Sequence, residues 1–367
     1  GYEMANMMDY LKWRGDLSFA DAPFCEGDSL LLCYVSYVNL DGIAPQEGEL
    51  AQTLSEVSRT FFKRYTKEEL EKDKSFIRMA AFVMKEMAAC RRFADTKVQN
   101  YVNLIDDKKN LQFSAVELIL GDGTSFIAYR GTDDCIVGWK EDFFLSNGVV
   151  PAEKESVAYL NRVGGKNACI LRLGGHSKGG NLAIYAAAGC EEPVQKRLRV
   201  IYNLDGPGFT KDFLESPGLK KVLPKIRRYI PECSMIGTLL EHAATPAIIA
   251  SSNKGVMQHD GLSWEVLGPS FVRCGELNIV AKIFDDAMSS WLSELGPEQK
   301  EAFINDFFSV LEATGAETLT QLQEGGIKNL KLMLKQIDTL KPETGEMLGD
   351  LIKRLAGHLP ELLPFHK

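Results

Sequence analysis

Between residues 170 and 185 the chain reads ILRLGGHSKGGNLAIY. Within it, Gly175-His176-Ser177-Lys178-Gly179 has the spacing G-x-S-x-G. Those residue types suit a serine nucleophile perched on a sharp, strained turn between a strand and a helix, its hydroxyl projecting above a sheet. Residues two before and two after the serine must be small, because strand and helix approach closely there. The start of the following helix favours developing negative charge. The pattern is common by chance, and its context gives it weight. An apolar run (168–173) leads in, a run of small residues (180–188) leads out, and the glycines are doubled on each side. A phosphate-binding loop fits less well, because Lys178 follows the serine instead of preceding it.

A serine nucleophile needs a base and an acid, which in α/β-hydrolases follow it in the order Ser, Asp or Glu, His. The chain has five histidines. His176 lies inside the turn, and His358 and His366 lie near the C-terminus. His259 sits in a loop, Val256 to Gly261, before a candidate last strand ending at Trp264, where a general base is needed. His242 is the weaker choice, at an expected helix end. Asp205 is the favoured acid. It closes the apolar run 198–204 and so falls on the same sheet edge as Ser177, where it would fix the tautomer of the base. Glu232 is the alternative, and Asp-Gly-Pro-Gly could also be a plain turn.

Segment 126–143, FIAYRGTDDCIVGWKEDF, resembles the Arg-Gly-Ser/Thr stretch of class 3 (fungal-type) lipases, with Trp139 and Asp142 matching a second landmark of that family. The resemblance implies an oxyanion hole formed by the N–H groups of Thr132 and Lys178. Lys178 departs from the usual Leu and brings a positive charge near the site. Residues 130–134 also suit an N-capped connection to a helix. The stretch at Asp205 resembles the Leu-Asp-Pro region of pancreatic-type lipases. Class 3 lipases carry their acid one strand later, where residues 231–237 here hold no Asp.

Together with Tyr10 to Asp16, Asp205 to Phe209 and the Gln258-His259 loop with Trp264, these motifs resemble an uncharacterised bacterial family of lipase-like α/β-hydrolases, a domain of unknown function. The likeness covers roughly residues 4–270. It implies an α/β-hydrolase fold and a serine hydrolase cleaving carboxylic esters (lipase-, esterase- or thioesterase-like) through an acyl-enzyme. No metal or organic cofactor is called for, and the substrate would be a small-molecule or lipid ester. A peptidase or acyltransferase would use the same triad. A non-catalytic binding or scaffolding protein on the same fold is the alternative from another class.

The elements that must position these groups follow from periodicity. Residues 1–96 read mainly as helix, with stripes such as Leu50, Leu54, Val57 and Phe61. Strands are expected at 113–120, 124–130, 168–173 and 198–204, and less clearly at 226–230, 246–250 and 262–267. The first two flank Gly121-Asp122-Gly123, a hairpin signal. Helices at 151–163 and 178–188 alternate with the later strands, so the expected fold class is α/β with a mostly parallel sheet. The expected division is a helical N-terminal region packed on the core (1–96), an α/β-hydrolase core (97–275) and a helical C-terminal extension (276–367). The extension holds 9 basic and 15 acidic residues and offers a possible surface for a protein partner. Segment 209–245 is long enough to form a lid.

Composition supports a globular protein of one or two domains: 367 residues, 45% apolar and 25% charged. A net charge of −8 gives no electrostatic footprint for nucleic acid. No apolar run reaches the roughly 18–20 residues that span a bilayer, and Gly1 to Met4 open no signal peptide. Eight cysteines without a C-x-x-C pair, several in apolar runs, point to buried thiols in a cytoplasmic protein.

Overall fold

The structure, a computed structural model, describes residues 4–73, 75–131 and 135–362. Its centre is a nine-stranded sheet in the order β1-β2-β3-β4-β5-β6-β7-β8-β11. The strands are β1 (Gln52–Thr53), β2 (Lys97–Asp106), β3 (Leu111–Ile119), β4 (Ser125–Tyr129), β5 (Leu171–His176), β6 (Leu198–Leu204), β7 (Ile226–Pro231), β8 (Pro246–Ile249) and β11 (Arg273–Cys274). A separate two-stranded ribbon pairs β9 (Val266–Leu267) with β10 (Ser270–Phe271).

The fold is α/β, but the sheet is mixed where a mostly parallel one was expected. The pairings from β4 to β8 are parallel, and those at both flanks are antiparallel. Connection length decides this. Short turns after β2 and β3 can only return the chain antiparallel, whereas β4, β5 and β6 are each followed by a helical crossover. Strand β2 escapes the periodicity because its register shifts between Gln99 and Val102, with Asn100 at φ 54°. Such a bulge breaks the alternation that a sequence reading depends on.

Three expected elements also shift. The strand placed at 168–173 begins at Leu171, and Ile170 before it is 40% exposed. Leu50 lies outside its helix, which Thr53 caps at Leu54, and is 91% exposed. The run 262–267 divides into a 3-10 turn at Gly261–Ser263 and strand β9.

Both sheet faces are covered. In β4, Phe126 and Ala128 join the cluster built with the N-terminal helices, while Ile127 and Tyr129 face the cluster built with helices Pro151–Gly164 and Lys178–Gly189. This is the period of two expected of a doubly covered strand, and each buried aromatic or aliphatic side chain contributes about 1.5–3 kcal/mol. Segment 209–245 is in part built into the core. It contains β7, and its Leu219, Val222, Ile236 and Leu239 are buried. A third apolar cluster joins Trp139 and Phe143 to C-terminal helices that begin with Ile279–Glu294. No helix among the described residues is long and apolar enough to cross a membrane.

Candidate active site

Ser177 stands between β5 and the helix Lys178–Gly189 with φ 60° and ψ −136°. This conformation costs a non-glycine residue about 1–3 kcal/mol and persists only where its surroundings enforce it. They do so here. A Cβ on Gly175 would collide with the backbone of Gly179, and one on Gly131 would lie 3.1 Å from Ser177 Cβ and strike the Tyr37 hydroxyl. The β4 extension therefore passes directly beside the serine. Ser177 is itself buried, and its N–H donates to the Leu204 carbonyl at 2.9 Å.

Register brings the acid beside it. His176 pairs with Leu204 across β5 and β6, so the next residues, Ser177 and Asp205, leave neighbouring strands at the same edge. Asp205 also has a positive φ, 55°, and its N–H donates to the Tyr229 carbonyl at 2.8 Å. Its carboxylate accepts twice, from the Ser234 hydroxyl at Oδ1 and from His259 Nδ1 at Oδ2, both at 2.6 Å. A carboxylate only accepts, so Nδ1 carries the ring proton and Nε2 of neutral His259 keeps a lone pair.

The His259 loop is fastened at several points. Gln258 accepts from the Cys233 N–H at 2.7 Å and donates to the Asn253 carbonyl at 3.0 Å. The Trp264 indole N–H donates to the Gln258 carbonyl at 2.9 Å. His176 Nε2 lies 2.6 Å from the His259 carbonyl, and His176 Nδ1 lies 2.6 Å from the Tyr37 hydroxyl. A carbonyl cannot donate, so Nε2 holds the proton and Tyr37 donates to Nδ1. Burial, with His259 close by, pushes the pKa of His176 well below the ordinary histidine value, which keeps this tautomer neutral.

Burial also pushes the Arg228 guanidinium down to about 10, although the Asp205 charge favours its protonated form. Arg228 donates to the Gly237 carbonyl at 2.8 Å, on the turn that carries Ser234. Lys178 opens the helix after Ser177, so its N–H is a first-turn donor with no carbonyl four residues back. The charge of Lys178 acts on Glu153, whose buried carboxyl is pushed up to about 7 by desolvation.

Of the residues singled out from the sequence, the structure joins Asp205 and His259 by a hydrogen bond and sets Ser177 on the adjoining strand end. Thr132 lies outside the described residues. The alternatives fall elsewhere. His242 Nε2 meets the Leu239 carbonyl at 3.2 Å, and Glu232 approaches Cys274 Sγ at 3.5 Å. Trp139 is buried among Phe143, Phe284, Phe307 and Phe308. Tyr10 in the segment 10–16 donates to Asp28 at 2.7 Å within a buried cluster that includes Arg92, whereas Trp13 is 56% exposed. Ser234, Tyr37 and the bridging role of His176 are not evident in the sequence. Tyr37 and His176 are 139 positions apart, and no local pattern marks such a pair.

A family model described as Mbeg1-like matches residues 87–309, more than half of the chain and including Ser177, Asp205 and His259. A search of curated proteins finds no match.

Proposed function

The chain belongs to the Mbeg1-like family, a lipase-like family, and on that premise we propose that it is a serine hydrolase of α/β-hydrolase type that cleaves carboxylic esters. The 2.6 Å contact between Asp205 and His259 Nδ1, beside the strained turn at Ser177, carries this reading.

Ser177 Oγ attacks the ester carbonyl carbon while His259 Nε2 takes the hydroxyl proton. Asp205 holds the Nδ1–H and stabilises the imidazolium. The N–H groups of Lys178 and Thr132 bind the oxyanion. As the tetrahedral intermediate collapses, the C–O or C–S bond breaks and His259 gives its proton to the departing alcohol or thiol. Water then enters, His259 takes its proton, and the acyl group leaves as a carboxylic acid while Ser177 recovers its hydrogen.

The test is a stopped-flow burst with a p-nitrophenyl ester. An acyl-enzyme releases one equivalent of nitrophenolate per chain before the slower steady state. Ser177→Ala should show neither phase. Hydrolysis by that variant at the wild-type rate would rule the mechanism out.

A further inference from the structure

The chain after residue 309 lies outside the matched family region, yet one short segment of it reaches both sides of the candidate site. At its start, the Glu317 carbonyl accepts from the Ile136 N–H at 2.9 Å, and Thr318 pairs with Cys135 in an isolated antiparallel bridge. Ile136 opens the helix Ile136–Phe144, which follows the Gly131 stretch beside Ser177. At its end, the Gln323 amide grips the turn that carries His259. Its Nε2 donates to the Lys254 carbonyl at 2.9 Å, and its Oε1 accepts from the Met257 N–H at 3.4 Å. Lys254 borders the 3-10 turn Gly255–His259, and Met257 lies within it.

Such a turn gains from an outside grip, because 3-10 hydrogen bonds have poorer geometry than those of an α-helix. The segment that grips it is itself stiffened. Thr318 caps the helix Leu319–Glu324 by accepting from the Gln321 N–H at 3.1 Å. Gln321 Oε1 accepts from the Glu317 N–H at 2.9 Å, and buried Asn329 donates to the Leu322 carbonyl at 2.8 Å. One braced segment thus ties the helix after the Gly131 stretch to the loop of the proposed base. We propose that segment 317–323 is a strap through which the C-terminal extension positions the active site, with Gln323 as the positioning residue for His259. Gln323 bonds the backbone of the turn and not the imidazole, so it sets where the ring stands.

The inference rests on the hydrolase reading for its chemistry but can be tested apart from it. We would measure kcat, KM and melting temperature with p-nitrophenyl butyrate for wild type, Gln323→Met and Phe303→Leu. Methionine keeps the length of glutamine and loses both hydrogen bonds. Phe303, buried against Trp291 on the helix Pro297–Glu312, controls for a general loosening of the extension. Gln323→Met should lower kcat about ten-fold with KM changed less than about two-fold, since a slightly misplaced base slows the chemical step. Phe303→Leu should lose melting temperature and keep its kcat. Wild-type kcat in Gln323→Met, or an equal loss of kcat in Phe303→Leu, would overturn the strap while leaving the hydrolase intact. Amide hydrogen exchange of the peptide spanning 254–259 gives a readout without turnover. Exchange about ten-fold faster there in Gln323→Met, with the sheet strands unchanged, supports the strap even if no ester is cleaved. Equal protection in the two proteins counts against it.

Discussion

His176 Nε2 donates to the backbone carbonyl of His259 at 2.6 Å, so the residue just before Ser177 fixes the loop that carries the proposed base. Tyr37, from the N-terminal helical part of the chain, closes the relay by donating to the other ring nitrogen. The histidine within the G-x-S-x-G turn thus acts through its neighbour, as a positioning residue.

Replacing His176 with Phe keeps a ring but removes both hydrogen bonds. Loosening the His259 loop by about an ångström should lower kcat roughly 10²-fold. If His176 only stabilises the fold, the variant will lose melting temperature while its kcat and pH profile stay as in wild type.

Ser177→Gly should raise stability while ending activity. Glycine tolerates φ 60°, ψ −136°, and relief of strain is worth about 1–3 kcal/mol, less about 0.4–1 kcal/mol for the added freedom of the unfolded chain. Urea unfolding of the two proteins measures the difference, and a variant less stable than wild type would mean that the turn stores no strain.

Arg92 is fully buried. It makes a two-pronged pair with Asp28 at 2.7 and 2.8 Å and donates to the carbonyls of Leu17, Ser18, Ala22 and Pro23. Arg92→Met leaves the Asp28 charge without its cation, and should cost about 3–5 kcal/mol in chemical unfolding. A loss below about 1 kcal/mol would place this pair among ordinary surface contacts.

The Glu153 carboxyl, raised by burial from 4.5 to about 7, gives stability a definite pH slope. The folded chain keeps this proton longer than the unfolded chain. The contribution is therefore full below about pH 4.5, falls by roughly 3 kcal/mol as the pH rises towards 7, and is flat above. Glu153→Gln removes the titration, so the stability of the variant relative to wild type should climb through that window. Parallel pH profiles for the two proteins would show that Glu153 ionises normally.

The legible parts of the fold and site are those where chemistry is local. The glycines around Ser177 can be read because a side chain at Gly175 would strike the backbone of Gly179. The placement of Asp205 follows from its position at the end of an apolar run beside β5. Strand β2 is hidden by its bulge, and its antiparallel pairing with β3 is hidden with it, whereas Gly121-Asp122-Gly123 announces the antiparallel hairpin of β3 and β4. Ser234 and Tyr37 reach their partners only through the fold. An apolar cavity lined by Trp139, Met235 and Leu330 is equally invisible beforehand, since helical periodicity shows that Leu330 is apolar but not that a space opens beside it.

The most direct measurement is intact-mass analysis, with peptide mapping, after treatment with a fluorophosphonate. The account predicts one phosphonyl adduct per chain, located on Ser177, absent from Ser177→Ala and formed about 10⁴-fold more slowly in Asp205→Asn, where the base loses its oriented tautomer. Equal modification of wild type and Ser177→Ala, or no modification of the folded wild type, would contradict it.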